Sequence, residues 1–127
     1  MDSPPLAHKP CVLVVDDERS VCETLSEVVE MAGCSVVVAY NGAEALKILE
    51  QVHPCLVILD LTMPVMSGPE LIEALKAEGR LEELKVLVST SAPERAPAGI
   101  PVARKPIDIH LVWDWIRRSC PGSNCPR

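Results

Sequence analysis

The chain has 127 residues, of which 48% are hydrophobic, and a formal net charge of −6. This length predicts one domain with room for a core, and the acidic balance argues against a primary role in binding nucleic acid, whose phosphates need a basic surface. No apolar run approaches the roughly 20 residues of a membrane-spanning helix. Because the start also lacks the form of a signal peptide, we expect a cytoplasmic protein without a membrane partner.

The first half of the chain alternates strand-like and helix-like segments. Residues 1–10 are polar and proline-rich and are expected to form a flexible leader. The apolar run 11–15 predicts a strand that ends on the acidic run 16–18, and apolar residues at three- and four-residue spacing then predict a helix closed by Gly33. The run 34–39 predicts a second strand, and apolar spacing over 43–49 predicts a short second helix.

The second half continues the alternation. The run from Cys55 to Leu59 predicts a strand buried on both faces, with Asp60 at its carboxyl end. A third helix ending near Gly79, a strand over 85–89 and a short strand over 100–103 follow. Asp108 is predicted to cap a final helix that runs to about Arg118. The predicted domain thus covers residues 11–118, and 119–127 are expected to form a flexible tail.

The cysteines do not suggest a disulfide framework. Four of the six lie in or beside apolar runs and are expected to be free and buried in a reducing compartment: Cys11, Cys22, Cys34 and Cys55. The other two, Cys120 and Cys125, are expected to be exposed thiols in the tail.

Alternating strands and helices predict an α/β fold with a doubly wound parallel sheet, and five strands suggest the flavodoxin-like order 2-1-3-4-5. In that order the first and third strands are neighbours, so Asp16, Asp17 and Asp60 meet at one crevice. A hydroxyl after the fourth strand and Lys105 after the fifth open onto the same edge. Crowded carboxylates repel unless they share protons or hold a cation, and oxygen ligands of this kind suit Mg²⁺. A carboxylate beside such an ion is a candidate phosphoryl acceptor.

Three stretches carry a resemblance to a known family. Val14-Val15-Asp16-Asp17-Glu18, the stretch from Asp60 through Thr62-Met63-Pro64 to Ser67-Gly68, and Lys105-Pro106 resemble the receiver domain of two-component response regulators. The resemblance spans about residues 11–118 and implies a phosphoacceptor that signals through a downstream partner after receiving a phosphoryl group from a histidine kinase or a phosphotransfer protein.

The resemblance also implies the role of each site residue. Asp60 would accept the phosphoryl group, and Lys105 would pair with it. The implied Mg²⁺ ligands are Asp17, Asp60 and the backbone carbonyl of Thr62, with Asp16 acting directly or through water. The switch hydroxyl is Thr90 or Ser91, and continuation of the run Val86-Leu87-Val88 favours Thr90.

The chain departs from the family between the fourth and fifth strands. Only residues 92–99 connect Ser91 to Ile100, and they include Pro93 and Pro97, which stop a helix. Because a crossover between parallel strands usually takes a dozen residues or more, the fourth helix is predicted to be reduced or absent. Val102 stands where family members commonly carry an aromatic residue.

Two alternatives to the phosphoacceptor switch remain. The altered connection favours a receiver-fold adaptor whose output does not depend on phosphorylation, whereas the complete acidic set argues against it. A Mg²⁺-dependent phosphohydrolase of the haloacid dehalogenase type would need a second aspartate at position 62, where the chain has Thr62.

The final helix is the expected docking surface for a partner or a homodimer, together with the fifth strand. Ile109, Val112 and Ile116 repeat at three- and four-residue spacing and are predicted to face the sheet. Leu111 and Trp115 would then share a face turned away from the core, where an aromatic residue often marks an interaction surface.

Overall fold

A computed structural model of the chain describes residues 12–120. The predicted leader 1–10, Cys11 and Cys125 lie outside these described residues. The five-stranded parallel sheet has the order β2-β1-β3-β4-β5, which confirms the predicted flavodoxin-like topology. Its strands are β1 (Val12–Val15), β2 (Val36–Ala39), β3 (Leu56–Asp60), β4 (Val86–Thr90) and β5 (Val102–Arg104).

Four α-helices cover the sheet, and none of those in the described range has the length and apolar character needed to span a bilayer. They are α1 (Arg19–Met31), α2 (Gly42–Leu49), α3 (Gly68–Ala77) and α4 (Ile109–Ser119). Local sequence sets their ends: Asn41 and Asp108 cap α2 and α4 with their side chains, and Ser67 with Glu70 forms a capping box on α3. Gly33 follows α1 with φ 87°, a left-handed conformation that glycine adopts without steric cost.

The sheet separates two apolar cores. Successive side chains of a strand point to opposite faces, so Val12 and Val14 of β1 pack on one side, and Leu13 and Val15 on the other. Helices α1 and α4 cover the first face, whereas α2 and α3 cover the second. The central strands β1, β3 and β4 are buried throughout, which explains their continuous apolar runs.

The connection from β4 to β5 contains only a single 3₁₀ turn, Pro93–Arg95. The predicted reduction of the fourth receiver helix is therefore confirmed. Ala96 and Ile100 of this connection pack against the core beneath α2 and α3, where a full helix would otherwise lie. The short crossover leaves β5 with three residues, of which only Ala103 is buried.

The prediction for α4 is partly wrong. Val112 and Ile116 are buried as expected, but Ile109 is 41% exposed. Ile107, which precedes the helix, packs against the core instead, and Ile109 lies beside α1. Trp115 was expected to face away from the core, but it is half-buried and packs against the cluster beneath α1 and α4.

Cys120 is not the exposed thiol that its proline- and glycine-containing context predicted. Helix α4 continues to Ser119, and both Ser119 and Cys120 are buried, with Cys120 only 1% exposed. The last turn of α4 brings Cys120 back over the amino ends of the strands, where it joins the core beneath α1 and α4.

Candidate functional site

Three carboxylates meet at the carboxyl end of the sheet. Asp16 follows β1 directly and Asp60 ends β3, and because these strands are neighbours the two side chains lie side by side. One carboxylate oxygen from each of Asp16, Asp17 and Asp60 lies within 4.8 Å of the others. Asp16 and Asp60 are buried, whereas Asp17 is exposed. The predicted convergence of the three acids is confirmed.

Lys105 crosses to this cluster from the segment after β5. Its Nζ lies 3.0 Å from Oδ2 of Asp16 and 3.6 Å from Oδ1 of Asp60. Burial acts to lower the pKa of Lys105, but the hydrogen bond to Asp16 and the negative charges of Asp16, Asp60 and Glu18 outweigh it and leave the pKa above its ordinary value. The ammonium group is thus charged at neutral pH and directed at two buried carboxylates.

Asp60 is held in an electrostatically unfavourable place. Burial, followed by the negative charge of Asp16, raises its pKa above the ordinary value, and Asp17 adds to this. The charge of Lys105 and a hydrogen bond from the backbone N–H of Thr62 act in the opposite direction without cancelling the effect. A carboxylate crowded in this way is stabilised by a bound cation.

The loop after β3 is held close to Asp60 by glycine. A Cβ added at Gly68 would lie 2.5 Å from the backbone oxygen of Asp60, so only glycine fits at the start of α3. At the loop tip, the N–H of Met66 donates to the carbonyl of Pro64 at 2.7 Å, and Val65 between them has φ 68°. This γ-turn geometry is strained for a β-branched residue. The loop therefore presents the backbone of Thr62 to the cluster at a cost in backbone strain.

Thr90 ends β4 at the same edge and is buried, whereas Ser91 is exposed. The Thr90 Oγ1 atom accepts a hydrogen bond of 2.9 Å from the N–H of Ala92, and the backbone carbonyl of Thr90 accepts one of 2.8 Å from the N–H of Lys105. Since a hydroxyl offers one donor besides its lone pairs, the O–H of Thr90 keeps its proton available. The identity of the switch hydroxyl stays a prediction.

Two neighbours of the site were not singled out from the sequence. The Glu18 Oε1 atom lies 3.7 Å from Lys105 Nζ, and only its place in the acidic run hinted at this. Ser89 lies opposite Asp60 in the register of β3 and β4, and it is 2% exposed. Within residues 12–120 its hydroxyl has no hydrogen-bond partner. A buried hydroxyl in a strand that otherwise reads as apolar was the available indication.

The donor set fits a hard divalent cation. It consists of carboxylate oxygens that lie within 4.8 Å of one another, and it contains neither sulfur nor imidazole. The loop after β3 lies next to it. One oxygen of Asp16 already accepts a hydrogen bond of 2.9 Å from the N–H of Glu18, and the other is paired with the ammonium group of Lys105. Asp17 and Asp60 have the less committed oxygens, and such a site suits Mg²⁺ with several retained waters.

Comparisons with known proteins agree with this geometry. Residues 12–102 match the family model described as the response regulator receiver domain. The chain is 35% identical over 91 residues to the transcriptional regulatory protein PrrA of Mycobacterium tuberculosis, a match that covers 72% of this chain and 39% of PrrA. It is 39% identical over 80 residues to the response regulator MprA of a Mycobacterium species, covering 63% of this chain and 34% of MprA. The matched part of the chain thus spans little more than a third of these relatives.

Solved structures show the same fold. A response regulator receiver protein from Pseudomonas putida superposes with a TM-score of 0.76 at 29% identity, covering 88% of this chain and 98% of that one. The receiver domain of a Francisella response regulator superposes with a TM-score of 0.77 at 22% identity, covering 87% of this chain and 95% of that one. At the lower identity the likeness concerns the fold alone.

Proposed function

The chain belongs to the response regulator receiver family, and from that premise we propose that it is a phosphoacceptor switch of a two-component system. Asp60 takes a phosphoryl group from a histidine kinase or a phosphotransfer protein. The observation that carries the proposal is the meeting of three carboxylates and the Lys105 ammonium at one end of the sheet. If the site served only to form an ion pair with Lys105, a third carboxylate would add repulsion without a benefit.

In the proposed reaction an oxygen of Asp60 attacks the phosphorus atom. The new P–O bond forms as the P–N bond of the donor phosphohistidine breaks, and the imidazole leaves with the electron pair and takes up a proton. Lys105, with Nζ at 3.6 Å from Oδ1 of Asp60, is placed to pair with an oxygen of the transferred group. Positioning and charge stabilisation of this kind are the main requirements of phosphoryl transfer.

Mg²⁺ is the proposed cofactor. Asp17, Asp60 and the carbonyl of Thr62 would hold it, with Asp16 acting directly or through water, because both oxygens of Asp16 already have partners. When bound, the ion supplies neutralisation of the phosphoryl charge. The chain's own contribution is to hold the acids within 4.8 Å of one another before the ion arrives.

Thr90 is the proposed switch hydroxyl, with Ser91 as the alternative. The Thr90 hydroxyl lies at the end of β4 and keeps a proton to donate to a phosphoryl oxygen. Such a donation would move the segment that follows, since Thr90 also accepts the N–H of Ala92. Phosphorylation would thereby reach the shortened connection between β4 and β5.

The test is intact-mass analysis after incubation with acetyl phosphate and Mg²⁺. We expect the wild-type chain to gain one phosphoryl group, and we expect no gain when Mg²⁺ is removed with a chelator. Asp60→Asn is the matched control, since it keeps the shape of the side chain and removes the nucleophile. An unmodified wild type with several phosphodonors would refute the proposal and leave the phosphorylation-independent adaptor. A modified Asp60→Asn variant would show that another residue is the acceptor.

The proposed ligand set is tested by comparing two variants that each remove one charge. Asp17→Ala should abolish measurable Mg²⁺ binding in titration calorimetry, because the ion needs oxygen ligands. Lys105→Ala should leave Mg²⁺ binding intact or strengthen it, because the lysine is proposed to serve only the phosphoryl group. Equal losses in the two variants would contradict the assignment.

The output is proposed to pass through a protein partner, in the cytoplasm and without nucleic-acid contact by these residues. Val102 on β5 and Leu111 on α4 are exposed, and both are proposed to contribute to the docking surface, with a homodimer as one assembly. Sedimentation velocity of the unmodified and phosphorylated chain measures that assembly. An unchanged monomer after phosphorylation would exclude the homodimer and retain the partner protein.

A further inference from the structure

An open cavity of about 520 Å³ lies at the amino end of the sheet, opposite the carboxylates. It is bounded by the start of β4, the segment before β5 and the end of α4. Because β5 begins opposite Val88, the first two residues of β4, Val86 and Leu87, have no neighbour in β5. The late start of this short strand leaves room beside β4. We call this space the amino-end cavity.

The wall of the amino-end cavity is mostly apolar. Leu84 and Val86 are buried, and Leu81, Ile100 and Trp115 are partly buried. Leu81 and Ile100 pack against the core on the side of α2 and α3, whereas Trp115 packs against the other core. Sites for small molecules are concave and largely apolar, with volumes of roughly 300–1,000 Å³. The cavity therefore has the size and the lining of a small-molecule site.

The charge of the amino-end cavity has one sign. Among the described residues that line it, two are charged, Lys85 and Arg118, and neither forms an ion pair with another described residue. The Arg118 guanidinium lies 5.2 Å from the centre of the Trp115 ring, which holds it at the wall. Glu83, two residues before Lys85, has its Oε1 atom 3.8 Å from Nε2 of His53 instead. In a chain of net charge −6, two cations without acidic partners beside one cavity favour an anionic ligand.

We propose that the amino-end cavity binds a small aromatic carboxylate. Its carboxylate would pair with Lys85 and Arg118, since a guanidinium presents several donors that match carboxylate oxygens. Its ring would lie against Trp115 and Val86. Inorganic phosphate would leave the apolar wall without a partner, so the anion needs an apolar body. Binding forms no covalent bond and does not depend on phosphoryl transfer to Asp60, at the other end of the sheet.

The test is titration of the full chain with 2-naphthoate, followed by calorimetry and by two-dimensional amide NMR. The matched ligand is 2-naphthamide, which has the same ring system and no charge. We expect one molecule of 2-naphthoate to bind and to shift the resonances of the Lys85 and Ile100 amides and of the Trp115 indole N–H. The amide ligand should bind at least about tenfold more weakly, because hydrogen bonds to charged groups are the stronger ones.

Two variants test the cations. Lys85→Gln and Arg118→Gln should each weaken binding of 2-naphthoate by about three- to tenfold, since both side chains are exposed and partly screened by solvent. Binding of 2-naphthamide should change little. Arg117→Gln is the matched control, because Arg117 lies in the same turn of α4, is exposed and does not line the cavity. It removes the same charge and should bind 2-naphthoate like the wild type.

Four results would overturn the proposal. The first is no binding of 2-naphthoate, or equal affinity for the acid and its amide. The second is an equal loss of affinity in Arg117→Gln and Arg118→Gln, which would indicate a general effect of charge. The third is a set of shifted resonances that excludes the cavity wall. The fourth is a dependence of those resonances on protein concentration without ligand, which would mean that a second copy of the chain covers the cavity.

Discussion

The two ends of the sheet differ in how their side chains affect stability, although the same strands form both. At the carboxyl end, buried Asp16 and Asp60 repel each other, Ser89 has no partner within the described residues, and Val65 occupies a strained turn. At the amino end, Cys34, Cys120 and Trp115 pack uncharged side chains against the core. The groups that place a reactive carboxylate at the carboxyl end lower the stability of the fold. The packed side chains at the amino end raise it. Removing the unfavourable groups at the carboxyl end should therefore stabilise the chain, whereas removing packed side chains at the amino end should destabilise it.

The largest effect is expected at the amino end. Trp115→Ala should lower the free energy of unfolding by about 2 kcal/mol, roughly half the 3–5 kcal/mol typical of a fully buried aromatic residue, because Trp115 is half-buried against the core. Leu111→Ala, one turn earlier and 36% exposed, is the matched control and should change stability by less than about 0.5 kcal/mol. Urea unfolding midpoints at constant slope measure both. Equal effects would mean that α4 is rotated relative to the sheet.

At the carboxyl end, Asp60→Asn should stabilise the chain at neutral pH in the presence of a chelator. Burial is the largest cause that raises the pKa of Asp60, and repulsion by Asp16 comes next, whereas the attraction of Lys105 acts against both. Because Asn removes the buried charge, we expect a net gain of about 1–2 kcal/mol. A destabilised Asp60→Asn variant would show that the ion pair with Lys105 outweighs the repulsion.

The same substitution has a defined pH dependence. The pKa of Asp60 is raised in the folded chain, so the folded state binds the proton more tightly than the unfolded state. The contribution of Asp60 to wild-type stability should therefore fall as the pH rises from the ordinary carboxyl value of 3.8 through the raised pKa. The gain from Asp60→Asn should appear across that interval and vanish below it. Urea midpoints measured across the acidic range provide the comparison.

Ser89→Ala should give the smallest gain, about 1 kcal/mol, because it removes a buried hydroxyl that lacks a partner within the described residues. Thr90→Val, one residue later, should have the opposite sign and cost about 1 kcal/mol, since the N–H of Ala92 would lose its acceptor. Differential scanning calorimetry of the pair separates the two cases. A destabilised Ser89→Ala variant would indicate that the hydroxyl has a partner such as bound water.

Much of the fold and the acidic site was predictable because local rules govern them. Continuous apolar runs identified the buried strands, and their alternation with helices led to the order 2-1-3-4-5. That order alone places the ends of β1 and β3 together, so Asp16, Asp17 and Asp60 could be assigned to one crevice. The prolines at positions 93 and 97 likewise predicted the missing helix. In each case the deciding residues are close in sequence or related by the topology of the sheet.

Tertiary structure alone decided the rest. Helical spacing put Ile109 on the buried face, but Ile109 is exposed and Ile107 packs against the core. The start of a helix relative to the sheet is set by packing, which helical spacing does not contain. A proline and a glycine beyond Cys120 suggested an exposed tail, yet the end of α4 returns to the amino ends of the strands and buries this thiol beside Cys34 and Cys55. Sequence patterns determine which face of an element is apolar, whereas contacts between distant segments determine which side chains actually meet.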